Sequence, residues 1–295
     1  MQRASGRRFD FWEPLKCDFG IRVQQRNPRP TFNMPTWNPD QYLKFADERT
    51  RPCRDLADRV SVNGPRRIID LGCGPGNSTA VIADRWPDAE ITGLDSSPDM
   101  IESAKKSKPN AHWVVGDIAS WAEQGPEKEA EPYDVVFSNA ALQWVQPHKS
   151  VFPRLLSRVA EGGALAAQMP GNFDGPAHRA MREIAHSPEF KDRLSFEVRE
   201  WFCHDTGFYY DVLAPHASRL DIWMTEYLHI MPDAQGIVEW YKGTGLRPFL
   251  QALSNENDRG RFVYEYLKKI EAAYPARPNG CVLFPFQRIF IIAYK

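Results

Sequence analysis

Cysteine is scarce and scattered in this 295-residue chain: Cys17, Cys53, Cys73, Cys203 and Cys281 are odd in number and never form a CxxC pair. That pattern excludes a disulfide framework and a cysteine-based zinc site, and it fits a reducing cytoplasm. A surplus of one charge is lacking too. With 37 Lys and Arg against 38 Asp and Glu, the formal net charge is −1, so nothing draws the bulk chain to nucleic acid or to an anionic membrane. Long apolar runs are also missing. The most apolar segment, "CVLFPFQRIFIIAY", is broken by Pro285 and by Gln287-Arg288, and it falls short of the ~18 residues that cross a bilayer. The expected partner is a small molecule, with no nucleic acid, no membrane and no metal, for a cytoplasmic monomer or weak homodimer.

What the chain does have is 42% hydrophobic and 12% aromatic content, enough for a sizeable packed core. Its organisation is uneven. Residues 1–33 are arginine-rich, aperiodic and without the apolar stretch of a secretory signal, and Asp10, Glu13 and Asp18 speak against a transit peptide. They are expected to be a disordered extension, and the regularity that sets in at Met34 suggests that translation begins there. Helical spacing runs from Asn38 through Tyr42, Phe45, Ala46 and Arg49, is interrupted by Pro52, and resumes at Leu56, Ala57 and Val60 before the break at Asn63-Gly64-Pro65. Residues 34–64 are therefore read as a helical lid.

Strands are expected at 67–71, 90–95, 111–117, 133–139 and 163–170, with helices at 97–107 and 148–160. That alternation over 65–170 predicts a parallel, doubly wound sheet. After Pro170 it stops. Residues 171–252 are read as a mostly helical cap in which Trp201, Tyr209, Tyr210, Trp223 and Trp240 pack, although 219–230 has the pattern of a strand. Residues 253–295 are read as a helix followed by a strand, 284–294, that completes the sheet.

The chemistry starts at Ile68 to Thr79, "IIDLGCGPGNST". An apolar strand exits through Asp70; Gly72, Gly74 and Gly76 then permit backbone angles and close approaches that no side chain allows, and Asn77, Ser78 and Thr79 supply caps for a helix. A glycine turn alone is a weak signal. Asp95 strengthens it by standing 19 residues after Gly76, where an acidic residue bonds ribose hydroxyls, with helix capping as the alternative use. Charge then separates the nucleotides. A carboxylate at Asp70 repels a pyrophosphate but welcomes a cationic nucleoside. Asp117 and Ile118 offer an acceptor and an apolar contact to adenine. Asp70, Asp95 and Asp117 thus end three successive strands at the sheet edge where open α/β folds bind ligands.

The segments "IIDLGCGPGNST", "GLDSSPDMI", "VVGDIASW" and "YDVVFSNAALQWV" together resemble the class I AdoMet-dependent methyltransferases over about residues 38–170. The resemblance implies an α/β, Rossmann-like fold, a doubly wound seven-stranded sheet with an antiparallel last strand and a helical cap insertion. S-adenosyl-L-methionine (AdoMet) is the implied cofactor. It would meet Gly72 and Gly74 at its methionine end, Asp95 at its ribose, Asp117 and Ile118 at its adenine, and Asn139 below its sulfonium, with Asp70, Ser96 and Met100 as further cofactor-binding residues.

Outside the core, "YLKFADERTRPCRDLADRV", "NAALQWV" and "EWYKGTGLRPFL" resemble those members of the family that esterify a small tricarboxylic acid, which implies a monomethyl ester as product. Elementary chemistry agrees. A carboxylate of reference pKa ~4 is already ionised at neutral pH, so methyl transfer needs placement and exclusion of water rather than a general base. No residue is expected to act as acid or base; Gln143, Trp144 and Arg247 are expected to orient the acceptor. A trianion asks for cations, and the candidates are Arg49, Arg51, His178, Arg179, His229, Lys242 and Arg247. Each has a plainer use, since helix arginines are usually solvated, His178 can cap and Trp144 can pack in the core. Arg247 stands out because it follows Gly243 and Gly245 in a turn, where a side chain can reach into a cleft. Two other readings stay open: transfer to a different acid or a malonyl-like acyl thioester, and a non-catalytic AdoMet-binding protein.

Overall fold

The structure, a computed structural model, describes residues 46–107, 110–124, 131–194 and 203–295, apart from the side chains of 46–49 and 107. The expected extension 1–33, the start of the lid, Trp201 and the side chain of Arg49 lie outside the described residues. Helix α1 (Ala46–Arg59) contains Pro52 and buries Cys53, Leu56 and Ala57. The alternation follows: β1 (Arg67–Leu71), α2 (Asn77–Arg85), β2 (Glu90–Asp95), α3 (Pro98–Ser107), β3 (His112–Val115), α4 (Ile118–Glu123), β4 (Tyr133–Asn139), a 3-10 turn at Leu142–Trp144, α5 (His148–Ser157) and β5 (Val159–Pro170). Helix α4 has no expected counterpart, because six residues carry too little periodicity to show; Asp117 caps it.

The second half adds α6 (Pro176–Ala185), α7 (Lys191–Leu194), α8 (Thr206–Leu213), β6 (Arg219–Met231), α9 (Ala234–Lys242), α10 (Arg247–Ala252), α11 (Glu256–Ala273) and β7 (Val282–Tyr294). The seven strands form one sheet in the order β3-β2-β1-β4-β5-β7-β6. Strands β1 to β5 pair in parallel, and the last strand, β7, runs antiparallel to both β5 and β6. The sheet is thus of the expected kind.

Both faces are covered, which is why the strands read as apolar runs. Ile68, Val135, Phe137, Ala166 and Phe290 pack under α1 and α2, while Ile69, Val136, Leu165 and Ile291 pack under α4, α5 and α8. The two outer strands do more. Each spans 13 residues, about twice the usual length. Residues 288–294 of β7 pair with β5, whereas 282–287 pair with β6 alone. Beyond Arg288 the ribbon leaves the sheet and enters a separate core, where Val282, Phe284, Phe286 and Met231 meet α6, α9, α10 and α11. Helix α11 belongs to this cap through Phe262, Tyr266 and Ile270.

Candidate functional site

At the C-terminal end of β1 the chain turns through three left-handed glycines, Gly72, Gly74 and Gly76. The Gly72 and Cys73 N–H groups donate to the Leu94 carbonyl at 2.7 and 3.1 Å, stitching the loop to β2. Gly72 lies where a Cβ would come within 2.2 Å of the Ala141 Cβ and 3.6 Å of the Ile118 side chain, so the loop packs against the start of α4 and the turn after β4. At Gly74 the opposite holds. A Cβ there would meet nothing within 4 Å, and the loop presents bare backbone to an open space.

Asp95 receives the Gly74 N–H at 2.9 Å on one oxygen and the Ser97 N–H at 2.9 Å on the other. Burial raises its pKa, and these two hydrogen bonds oppose the rise. Each oxygen keeps a further lone pair for a hydroxyl. The helix cap falls to Ser97, whose Oγ accepts from the Met100 N–H at 3.4 Å, so Asp95 is left to the cleft. Ser96 is exposed and Met100 buried. Asp117 uses Oδ1 to cap α4, accepting from the Ser120 N–H and hydroxyl at 2.8 and 3.0 Å. Ile118 is buried beside Gly72.

Asp70 departs from its expected role. It has no exposed surface, and its Oδ2 accepts hydroxyls of Ser78 and Thr79 at 2.7 Å each. One oxygen is thus spent within the loop, and the other, Oδ1, is buried with no hydrogen-bond partner among the described residues. Burial pushes its carboxyl up to about 6, against the pull of the two hydroxyls, and Asp95 adds to the rise.

After β4 the backbone strains. Ala140 sits at φ 54°, a region that costs a non-glycine residue about 1–3 kcal/mol and collects at functional sites. Its N–H donates to the Gln168 carbonyl at 2.8 Å, and its own carbonyl accepts from Gln143 Nε2 at 2.7 Å. Gln143 is buried and spends one of its two amide donors on the backbone of Ala140, while its Oε1 is buried with no hydrogen-bond partner among the described residues. Trp144 ends the turn half-buried. Asn139, next to Ala140, keeps a buried Oδ1 with no hydrogen-bond partner among the described residues. The open space at Gly74, the free capacity of Asp95 and this orphaned acceptor fit a bulky cationic nucleoside.

The expected cations fare unevenly. His178 is buried, bonded to the Asn172 carbonyl at 3.1 Å, and held neutral with its pKa lowered to about 4, chiefly by burial and then by Arg182. It is not a cation near neutral pH. His229 is likewise lowered to about 4, by burial and then by Arg288 and Arg51. Lys242 pairs with Glu239 at 2.7 Å, and exposed Arg179 donates to the Asp174 carbonyl at 2.7 Å. Arg247 opens α10 half-buried, and burial lowers its pKa. Sequence reasoning missed Gln168 and Arg288, buried on β5 and β7. The available signal was a polar pair, Gln287-Arg288, inside an apolar strand.

The Methyltransferase domain family matches residues 68–163. A trans-aconitate 2-methyltransferase of Azoarcus sp. (strain BH72) is 46% identical over 262 residues, covering 89% of this chain and 100% of that protein. Another protein of that name, from Rhodopseudomonas palustris (strain HaA2), is 46% identical over 264 residues, with 89% and 100% covered. Among solved structures the YcgJ protein from Bacillus subtilis matches with a TM-score of 0.54 at 13% identity, covering 83% of this chain and 98% of that one. At such low identity the likeness concerns the fold.

Proposed function

The chain belongs to the trans-aconitate 2-methyltransferase family, and from that membership we propose that it methylates one carboxylate of trans-aconitate or a similarly small polycarboxylic acid, forming a monomethyl ester. It is an AdoMet-dependent methyltransferase. The observation that carries the substrate reading is reach: the similarity runs through 89% of the chain, past the domain at 68–163 and through the cap that has to meet the acceptor.

When bound, AdoMet supplies an electrophilic methyl group on a positively charged sulfur. The chain's own residues then hold and orient. Gly72 and Gly74 would receive the methionine end on backbone, Asp95 would accept from the ribose hydroxyls, Asp117 and Ile118 would take the adenine, and the Asn139 Oδ1 would offer an acceptor to the positively charged end. The acceptor carboxylate arrives ionised. An ionised carboxylate oxygen needs no deprotonation to take up a methyl group, so the chain has to supply placement and charge rather than a base. Neither His178 nor His229 is needed as a base. Arg247 offsets part of the acceptor's charge, and Trp144 walls the cavity against water. The reading includes a cytoplasmic location, with which the free thiols of Cys53, Cys73, Cys203 and Cys281 are compatible, and a monomer or weak homodimer. Among the described residues no helix is long and apolar enough to cross a membrane.

A panel of radiolabelled methyl-transfer assays tests the proposal with aconitate isomers, citrate, isocitrate, fatty acids and acyl thioesters. Turnover concentrated on a tricarboxylate is expected. Turnover of a long-chain acid or thioester, with every tricarboxylate inert, would sink it.

A further inference from the structure

Gln168 stands near the end of β5 with no exposed surface, held at two points. Its carbonyl accepts the N–H of left-handed Ala140 at 2.8 Å, and its side-chain Oε1 accepts from Arg288 Nη1 at 3.4 Å. A guanidinium can only donate, so this contact turns the amide oxygen toward Arg288 and the amide nitrogen away from it. Nε2 is left over. It carries two N–H donors, is buried, and has no hydrogen-bond partner among the described residues. A buried donor that water does not reach is a standing cost to the fold unless a ligand answers it.

Its neighbour across the sheet decides which ligand group that is. Gln168 pairs in register with Asn139 on β4, so by strand alternation both side chains share the face that carries Phe137, Ala166 and Phe290 under α1. Asn139 Oδ1 is buried and unanswered as well. An acceptor and a donor at paired positions, with backbones about 5 Å apart, could satisfy each other, yet here they do not. The charges beyond them follow the same sense. Asp70, on β1, stands opposite Phe137 on the side of Asn139, whereas Arg288, on β7 opposite Pro170, stands on the side of Gln168. Asp55, on α1, accepts the hydroxyl of Tyr227 on β6, two strands away from Gln168. From β1 to β7 the face thus passes from negative to positive, and the two amides mark the change of sign.

We propose that Gln168 Nε2 binds the carboxylate that is methylated, donating to the oxygen that does not attack, next to Asn139 on the cofactor's side. The inference rests on the polycarboxylate reading above. Methyl transfer to a carboxylate joins a cation to an anion, and a site for it wants an acceptor beside the one and a donor beside the other. One N–H on the second oxygen fixes the direction of the attacking one. A neutral amide suits this place better than a cation, because a charge-assisted bond would hold the nucleophile's negative charge more tightly. Every acceptor presents the carboxylate that reacts, so this contact supports the rate without choosing among acids.

The test uses the full chain and two variants, Gln168→Glu, which keeps the shape and the oxygen toward Arg288 but loses the donor, and Gln168→Met, which keeps length alone. Each is assayed in single turnover with trans-aconitate and with a dimethyl ester of it that leaves free only the carboxylate the wild type methylates; AdoMet affinity is measured alongside by calorimetry. In both variants kcat/KM should fall about ten- to a hundredfold, by the same factor for triacid and diester, while AdoMet affinity holds. An unchanged kcat/KM, a loss confined to the triacid, or an equal loss of AdoMet affinity overturns the inference. Should neither variant fold, the wild type decides by NMR: with S-adenosylhomocysteine bound, the side-chain amide protons of Gln168 should shift when trans-aconitate is added, and signals that stay in place overturn it. Wild type inert toward every polyacid overturns the polycarboxylate reading and this inference with it.

Discussion

Two glycines of one loop do different work. At Gly72, φ is 74° and an added methyl would press on Ala141, so Gly72→Ala should lower stability by about 2–4 kcal/mol in a urea titration. At Gly74, φ is 54° and the methyl would meet no protein atom. Gly74→Ala should cost only about 1–2 kcal/mol of left-handed strain. It should nonetheless weaken AdoMet at least about tenfold by calorimetry if, as proposed, the cofactor's methionine end rests on this backbone. Wild-type affinity in that variant would remove Gly74 from the cradle. Asp70 makes a second prediction. Its folded pKa, about 6, lies above the ordinary carboxylate value. Its contribution to stability is therefore present at low pH and lost as the pH rises through 6, leaving a cost of up to about 3 kcal/mol at neutral pH. A cationic ligand favours the ionised form, so AdoMet affinity should fall as the pH drops below about 6. Asp70→Asn should stabilise the ligand-free protein at neutral pH and flatten that part of the affinity profile.

Among the elements, the turn after β4 depends on helices that sequence reasoning did not connect to it. His148 opens α5 with no exposed surface; it donates from Nε2 to the Leu142 carbonyl at 2.9 Å and accepts the Tyr209 hydroxyl at Nδ1, at 2.8 Å. One neutral imidazole thus joins the turn bearing Gln143 and Trp144 to α5 and α8. His148→Phe leaves a buried carbonyl and a buried hydroxyl without that partner. A loss of about 2–4 kcal/mol is expected, with KM for the acceptor raised and AdoMet affinity hardly moved. Equal effects on both ligands would show that His148 supports the fold in general and not this turn. The ion pair of α1 with β6 at Arg59 matters less. Arg59 meets Asp221 at 2.7 Å on an exposed surface, where ion pairs contribute little.

For the whole molecule, opposing buried titrations set the acid limit. His148, His178 and His229 are each lowered to about 4, first of all by burial. A histidine whose folded pKa is depressed contributes stability that is present above about 6.5 and lost as the pH falls toward 4. Asp70 works the other way over nearly the same window. Three groups against one should lower the urea midpoint steadily from pH 6.5 to 4, and the triple replacement of these histidines by neutral residues should flatten the slope. A midpoint that rises on acidification would contradict the burial assigned to them.

The local grammar of this chain was readable in order: the strand 133–139, the helix starting at 148, the glycine loop with Asp95 at its set interval, and the late strands. Those signals lie within a few residues of one another and obey backbone rules that hold in any fold. Alternation then implied a sheet whose carboxyl edge collects Asp70, Asp95 and Asp117, of which Asp70 turns out fully buried. Which charged groups remain charged, and which face the cleft, followed from burial and from neighbours distant in sequence. His178 reads as a cation until Asn172, Tyr241 and Arg182 surround it; Lys242 reads as free until Glu239 takes it; Gln143 reads as a free amide until left-handed Ala140 takes one of its two donors. Arg288 reads as an interruption in an apolar strand, and only the pairing of β7 with β5 brings it to Gln168 across 120 residues of chain. Backbone preference is a property of short segments, whereas desolvation and charge depend on what the fold brings alongside.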